Sequence, residues 1–200
     1  PNSPSGTWVA PEALAALAEG VDGILVVDEA YVDFADDDCT CLLGRFPNVI
    51  VLRSFSKSFS LAGVRLGYAL ADAAIIGGMV KVKDSYNVNR FAIAAGVAAL
   101  EDVASMRANA AAIRRERERM AGELRALGLF VYPSQANFLA LRTTAPSAEA
   151  VGAALEEEGI LVRTFGDPLL SDWVRITIGT PDQNDQVLAG VRRLLEGVPS

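Results

Sequence analysis

The sequence predicts an α/β fold: part of a mostly parallel sheet with flanking helices, followed by a small C-terminal α+β layer. Three observations predict it. Short apolar runs alternate with helix-spaced segments up to Ala71. A long helix-spaced stretch then runs from Arg90 to Leu127. Beyond it come short strand-like runs at 129–132, 137–142, 160–164 and 173–178. With 51% hydrophobic residues in 200, the chain can bury one substantial core and part of another. We divide it into a larger domain over 1–95, a connecting long helix over 96–128, and the small domain over 129–200.

Each element has a local reason. Pro11 to Glu19 carries Leu14, Leu17 and Ala18 at helical spacing, and a proline at its start, where a missing N–H costs nothing. Ile24-Leu25-Val26-Val27 reads as a buried strand over 23–28, and Val49-Ile50-Val51-Leu52 as another over 48–53. Between them, Asp33 to Phe46 reads as a loop with a short helix, and Gly67 to Ala71 as a further strand. The stretch 90–127 is helical, with a break expected near Asp102 or Ser105 and a stop at Gly128. Its mixed run Arg114 to Arg119 makes i,i+4 pairs on a solvated face. Helices at 147–158 and about 182–195 complete the small domain.

The chemistry concentrates at the ends of the first two strands. Val27 is followed by Asp28-Glu29-Ala30-Tyr31, and Leu52 by Arg53-Ser54-Phe55-Ser56-Lys57, with Arg65 eight residues after the lysine. Strand ends are where open α/β sheets place ligands. A lysine, a carboxylate and a group of hydroxyls with an arginine suit pyridoxal phosphate. Its aldehyde needs an amine, and Lys57 supplies one. Its ring nitrogen must stay protonated to draw electrons, and Asp28 favours that form. Tyr31 can donate to the phenolic oxygen. Ser54, Ser56 and Arg65 can hold the phosphate, for which a guanidinium fork is well shaped.

These motifs resemble those of the fold-type-I aminotransferases, and within them the histidinol-phosphate aminotransferase family. The segments that carry the resemblance run in order through nearly the whole chain. They are Pro1 to Gly6, Val27 to Phe34, Ser54 to Gly67, Tyr86 to Asn89, Ala136 to Phe138, and Val174 to Gly179. The resemblance implies a three-layer large domain that binds pyridoxal phosphate, and a small domain that closes over substrate. It implies that Lys57 forms the Schiff base and carries protons, with Asp28 and Tyr31 on the ring. It places Arg175 on the substrate α-carboxylate, with Arg163, Asn137 and Tyr86 as further substrate-binding candidates. The reaction implied is transfer of the amino group of histidinol phosphate to 2-oxoglutarate in histidine biosynthesis, by a cytoplasmic homodimer.

Two positions depart from the family pattern. Ser3 stands where the family often has a cofactor-contacting asparagine, with Asn2 one residue earlier. Ser3 makes a shorter contact, a water intervenes, or Asn2 takes the role. Ser85 precedes Tyr86 where the family often has proline. The chain begins inside the first motif, so it is expected to be the C-terminal part of an enzyme and inactive alone, with the Gly-rich turn and ring-stacking aromatic elsewhere.

Composition narrows the alternatives. A net charge of −7 argues against a nucleic-acid surface. With no histidine, Ser-His-Asp and Cys-His chemistry fall away, and a metal site at Cys39 and Cys41 is not expected. Those two cysteines read as reduced loop thiols. No apolar run reaches the ~20 residues of a membrane span. Rival readings remain. An aromatic amino-acid aminotransferase and a threonine-phosphate decarboxylase share nearly every motif. A transcription regulator with an aminotransferase-like sensing domain is a non-enzymatic alternative.

Overall fold

The structure is a computed structural model and describes residues 1–197. It separates into two compact units. Trp8–Ala110 form the first, and Asn2–Thr7 with the chain from Ala111 form the second.

In the first unit, α1 (Pro11–Gly20) precedes β1 (Leu25–Asp28), β2 (Val49–Ser54) and β3 (Gly67–Ala71). The sheet order is β1-β2-β3. β1 and β2 are parallel, with Asp28 opposite Leu52, whereas β3 runs antiparallel to β2. The expected mostly parallel sheet is therefore mixed in this chain. The reason is the connection. A parallel return needs a crossover, usually a helix. Residues 55–66 hold a single 3-10 turn, Ala62–Val64, and are shorter than the connection 29–48 that carries the chain from β1 to the parallel β2, so here the chain turns straight back. Ala15 and Ala18 of α1 pack with Cys39, Leu42, Val49 and Val51 to form this unit's core.

Next come α2 (Ala73–Val82), α3 (Arg90–Glu101) and α4 (Val103–Ala126). The expected break in the long helical stretch falls at Asp102. Its backbone leaves the helical region, and its carboxylate accepts from Ser105 N at 3.2 Å to cap α4. α2 was not expected from the sequence. Asp72 caps it through Ala74 N at 2.8 Å, but Gly77 and Gly78 in its middle weaken the helical signal.

The second unit holds β4 (Phe130–Val131), β5 (Phe138–Arg142), α5 (Ala148–Glu157), β6 (Arg163–Thr164), β7 (Trp173–Thr177) and α6 (Pro181–Glu196). Its sheet has the order β4-β5-β7-β6 and is antiparallel throughout. Met120 and Leu124 of α4 pack with Leu139, Leu141, Leu155, Val174, Ile176 and Leu188 around one core. Gly128 ends α4, as the sequence predicts. At φ +85° it lets Leu129 N reach Leu124 O and its own N–H reach Arg125 O. Gly159 closes α5 in the same way. Thr180 and Gln183 form a capping box on α6. Among the described residues no helix is long and apolar enough to cross a membrane.

Candidate active site

In the first unit the parallel pair β1–β2 carries most of the candidate groups. Asp28 is the last residue of β1, and its carboxylate accepts from Ala30 N at 2.9 Å. That turn sets its direction while leaving it exposed. The chain then enters a 3-10 turn, Val32–Phe34, directly after Tyr31. Ser54 ends β2, and its hydroxyl accepts from Ser56 N at 3.0 Å, curling the lysine loop back over the strand end. Lys57 is exposed, and its Nζ lies 5.4 Å from the centre of the Tyr31 ring. That is within the range of a cation–π contact.

The loop around Lys57 is held from several sides. Buried Ser58 donates its hydroxyl to Asp33, linking the lysine loop to the turn after Tyr31. Phe55 stacks near Phe59 and Tyr68 at centroid distances of 4.8 and 5.9 Å. Phe55 N donates to Leu66 O at 3.1 Å. Ser60 and Arg65 both adopt left-handed backbone, with φ of 57° and 59°. A non-glycine residue there costs on the order of 1 kcal/mol and tends to mark a functional loop. Arg65 is exposed, and its Nη1 donates to Ala62 O at 3.0 Å. Gly67 is required by close approach, since a Cβ there would sit 2.8 Å from Arg53 O.

Behind Asp28 lies a buried charge cluster that sequence reasoning missed. Glu29 is only 4% exposed, and its carboxylate accepts from Cys39 N at 2.5 Å and Arg53 Nε at 2.9 Å. Arg53 Nη2 lies 2.8 Å from Glu29 and 3.0 Å from Asp38. Burial works against the Arg53 charge, but its bonds to Glu29 and Asp38 outweigh that and raise its pKa. Burial also works against the Asp38 charge. Hydrogen bonds from Thr40 and the Arg53 cation prevail, so its pKa falls below the usual value. Burial, with Glu29 alongside, pushes the Cys39 thiol up to about 12. A charged residue at the end of an apolar run, as at Arg53, is the sequence signal that could have found the pair.

In the second unit, Arg175 sits mid-strand in β7, opposite Ala140 on one side and Arg163 on the other. Its guanidinium lies 5.0 Å from the Phe138 ring centre. Its Nη1 donates to Ser3 Oγ at 3.0 Å, while its Nε is buried without a hydrogen-bond partner. Ser3 is presented by a tight turn, in which Asn2 N donates to Thr7 O and Gly6 N to Asn2 O, both at 2.8 Å. Asn2 turns its amide to Ser5 Oγ at 3.1 Å. Gln135 N donates to Gly6 O at 2.8 Å, joining this turn to the residues before β5. Arg117, buried, donates to Ala136 O at 3.0 Å just before Asn137, whose own carbonyl accepts from Ile178 N.

The remaining candidates are more isolated. Arg163 is exposed on the short edge strand β6, 5.6 Å from the Phe165 ring centre. Tyr86 belongs to the first unit, between α2 and α3, and is 91% exposed. Within the first unit, then, Asp28, Tyr31, Ser54, Ser56 and Lys57 gather at two adjacent strand ends. Within the second, Arg175 gathers with Ser3, Phe138 and its register partner Arg163.

This arrangement has known counterparts. The model of the family "Aminotransferase class I and II" matches residues 1–191. The chain belongs to this family. Relatives in the family include a protein of Nostoc sp. called histidinol-phosphate aminotransferase 1. It is 44% identical over 98% of this chain and 56% of its own length. A histidinol-phosphate aminotransferase of Chromohalobacter salexigens is 45% identical over 94% of this chain and 55% of its own length. Among solved structures, histidinol-phosphate aminotransferase from Sinorhizobium meliloti in complex with pyridoxal-5'-phosphate superposes with a TM-score of 0.88. It has 30% identity and covers 98% of this chain and 56% of that one. L-threonine-O-3-phosphate decarboxylase from Porphyromonas gingivalis gives a TM-score of 0.84 at 26% identity, covering 98% and 62%. The chain thus spans about half the length of the curated relatives it matches.

Proposed function

We propose that the protein is a pyridoxal-phosphate-dependent aminotransferase that moves the amino group of histidinol phosphate to 2-oxoglutarate. The observation that carries this reading is Lys57, whose exposed amine stands beside Tyr31 at the paired strand ends that also bear Asp28 and Ser54. The donor set fits the cofactor, with one amine, one carboxylate, one phenol, two hydroxyls and a guanidinium. The names of the relatives supply the choice of substrate.

When bound, pyridoxal phosphate supplies an aldehyde that captures amines and a ring that takes up the electrons left when a proton leaves carbon. The chain's own residues do the rest. Lys57 Nζ would hold the cofactor and, when free, would accept the proton from the donor's α-carbon. Asp28 keeps a proton on the ring nitrogen. Tyr31 donates to the phenolic oxygen, and Ser54, Ser56 and Arg65 hold the phosphate. Asn2 belongs to the same cofactor group in this reading. Arg175 receives the carboxylate of the 2-oxo acid through its fork. Arg163 serves the phosphate end of histidinol phosphate, with Asn137 and Tyr86 as further substrate contacts.

The reading extends to architecture. The first unit belongs to a three-layer large domain, the second is a small α+β domain, and the working protein is a cytoplasmic homodimer without nucleic-acid or membrane partners. A phosphate-ester decarboxylase is the second reading, favoured by the likeness to the Porphyromonas structure.

The test is the absorbance of the full-length protein with pyridoxal phosphate, before and after histidinol phosphate. A visible band that bleaches with histidinol phosphate and returns with 2-oxoglutarate supports the reading. Release of carbon dioxide from threonine phosphate replaces it with the decarboxylase. Absence of any band in the wild-type protein overturns both.

A further inference from the structure

We propose that the buried hydroxyl of Ser58, through its bond to Asp33, is a positioning device for Lys57: it clamps the lysine loop to the turn that Tyr31 opens and so holds the amine over the Tyr31 ring. This rests on the reading of Lys57 as the cofactor-binding residue. Lys57 is exposed, and its amine ends a flexible four-carbon stem. Such a side chain is aimed by the backbone that carries it. Ser58 is the next residue of that backbone and is only 5% exposed. One residue of the loop reaches solvent while the next is anchored inside.

The anchor is held on both sides. Asp33 sits in the 3-10 turn Val32–Phe34, where Phe34 N donates to Tyr31 O and Val32 N to Glu29 O, both at 3.1 Å. Val32 and Phe34 on either side of it are buried. The acceptor carboxylate is therefore two residues from Tyr31, on a turn fixed in the interior. On the other side, Ser56 N donates to Ser54 Oγ at 3.0 Å, Ser60 N to Lys57 O at 3.1 Å and Leu61 N to Phe55 O at 3.1 Å. Those bonds shape the loop but stay within residues 54–61. The Ser58–Asp33 bond spans 25 residues of sequence and joins that shape to the Tyr31 turn. Ser60 keeps left-handed backbone at φ 57°, a conformation that persists where the surroundings hold it. Across the clamp, Lys57 Nζ stands 5.4 Å from the centre of the Tyr31 ring.

The chemistry gives the clamp its strength and its limits. A hydroxyl donating to a carboxylate makes a charge-assisted bond, roughly twice as strong as one between neutral groups. Asp33 is only half-buried, so water can replace the hydroxyl when Ser58 is shortened. Losing the bond therefore loosens the loop rather than unfolding the unit. A loosened loop keeps the amine but no longer aims it, and misplacing a reacting group by about 1 Å can cost on the order of 10²-fold in rate. Substrate binding uses other residues, so the loss falls on kcat and not on KM.

The experiment has two arms, both on the full-length protein. Without cofactor, peptide-resolved hydrogen exchange follows residues 31–35 and 55–61. Ser58→Ala and Asp33→Ala are each expected to speed exchange in both segments together and to leave residues 49–53 unchanged. With cofactor, each is expected to lower kcat about tenfold or more, while KM for histidinol phosphate and for 2-oxoglutarate moves less than about twofold. The double variant loses no more than either single one, because both remove the same bond. Asp33→Asn keeps an acceptor oxygen and most of the kcat. Leu42→Ala, a buried substitution in the same unit, lowers the thermal midpoint without reproducing the kcat loss. If Ser58→Ala does not fold, Asp33→Ala read against Asp33→Asn carries the same test. Faster exchange in one segment alone or throughout the protein, faster exchange with kcat unchanged, or losses that add in the double variant overturn the proposal. Failure of the functional reading shows separately, as a wild-type protein with no visible absorbance on adding pyridoxal phosphate, and the exchange arm still reads the clamp.

Discussion

Ser3 Oγ accepts a hydrogen bond of 3.0 Å from Arg175 Nη1, across 172 residues of sequence. The neighbouring Asn2 spends its side chain on Ser5 instead. Of these two residues, Ser3 is the one that touches the arginine. It occupies one nitrogen of the guanidinium, while Nε stays buried and unpaired. A buried donor without a partner costs roughly 1–3 kcal/mol.

The first prediction concerns that contact. Ser3→Ala removes one hydrogen bond to a charged group, worth about 1.5 kcal/mol or somewhat more, and so weakens 2-oxo acid binding about tenfold. The effect is expected in KM for 2-oxoglutarate with kcat little changed, because the guanidinium keeps its charge but loses its orientation. Arg175→Lys loses the planar fork and is expected to cost more. Steady-state kinetics with 2-oxoglutarate varied decides it, and an unchanged KM in Ser3→Ala refutes it.

Lys57→Ala carries the second prediction. Without the amine there is no covalent hold on the cofactor and no proton carrier, so turnover falls by at least about 10²–10⁴-fold. The visible absorbance of the bound cofactor is lost as well. Retention of that absorbance in the variant would move the role to another lysine. Lys81 and Lys83, both exposed near the end of α2, are the other lysines of this chain.

Much of this was legible in the sequence because it depends on local pattern. The apolar runs that became β1 and β2, the proline opening α1, and Gly128 closing α4 are all encoded within a few residues. So is the gathering of Asp28, Tyr31 and Lys57, since parallel neighbours put their ends together. What was illegible depends on distance in the chain. The direction of β3 follows from the short connection 55–66, which turns back instead of crossing over. The Glu29–Arg53 pair needs the register of two strands. The Ser3–Arg175 bond needs the last strand of the chain to meet its first residues. The helix α2 was hidden for the opposite reason, because two glycines inside it spoil a local signal that its cap supports.

Gly6 supplies the third prediction. It holds φ at +77°, and a Cβ there would lie 2.3 Å from Ser134 Oγ and 2.7 Å from Ser134 Cβ. Gly6→Ala must therefore strain its backbone and push the Ser3 turn away from 134–137, at a cost of about 1–3 kcal/mol. The thermal midpoint falls, and KM for 2-oxoglutarate rises as in Ser3→Ala because the turn presents Ser3. Adding Ser134→Gly removes the side-chain clash but neither the 3.2 Å approach to the Cα of residue 134 nor the positive φ, so recovery is partial. A Gly6→Ala protein with wild-type stability would show that the turn is looser than its hydrogen bonds imply.

Cys39 and Cys41 differ in a way that pH makes visible. Cys39 is buried with its pKa pushed up to about 12, whereas Cys41 is exposed. Only thiolate reacts with alkylating agents. At pH 8.5, exposed Cys41 is expected to be labelled in the native protein and Cys39 only after unfolding. The linkage has a definite sign. The folded state holds the Cys39 proton more tightly than the unfolded state, so its contribution to stability is intact below about pH 8.5. As pH rises from there toward about 12, the unfolded state gives up the proton first and that contribution is lost. Cys39→Ala should therefore flatten the fall of the thermal midpoint between about pH 9 and 11 relative to wild type. Equal slopes in the two proteins would mean that the thiol ionises as easily folded as unfolded, and would overturn the prediction.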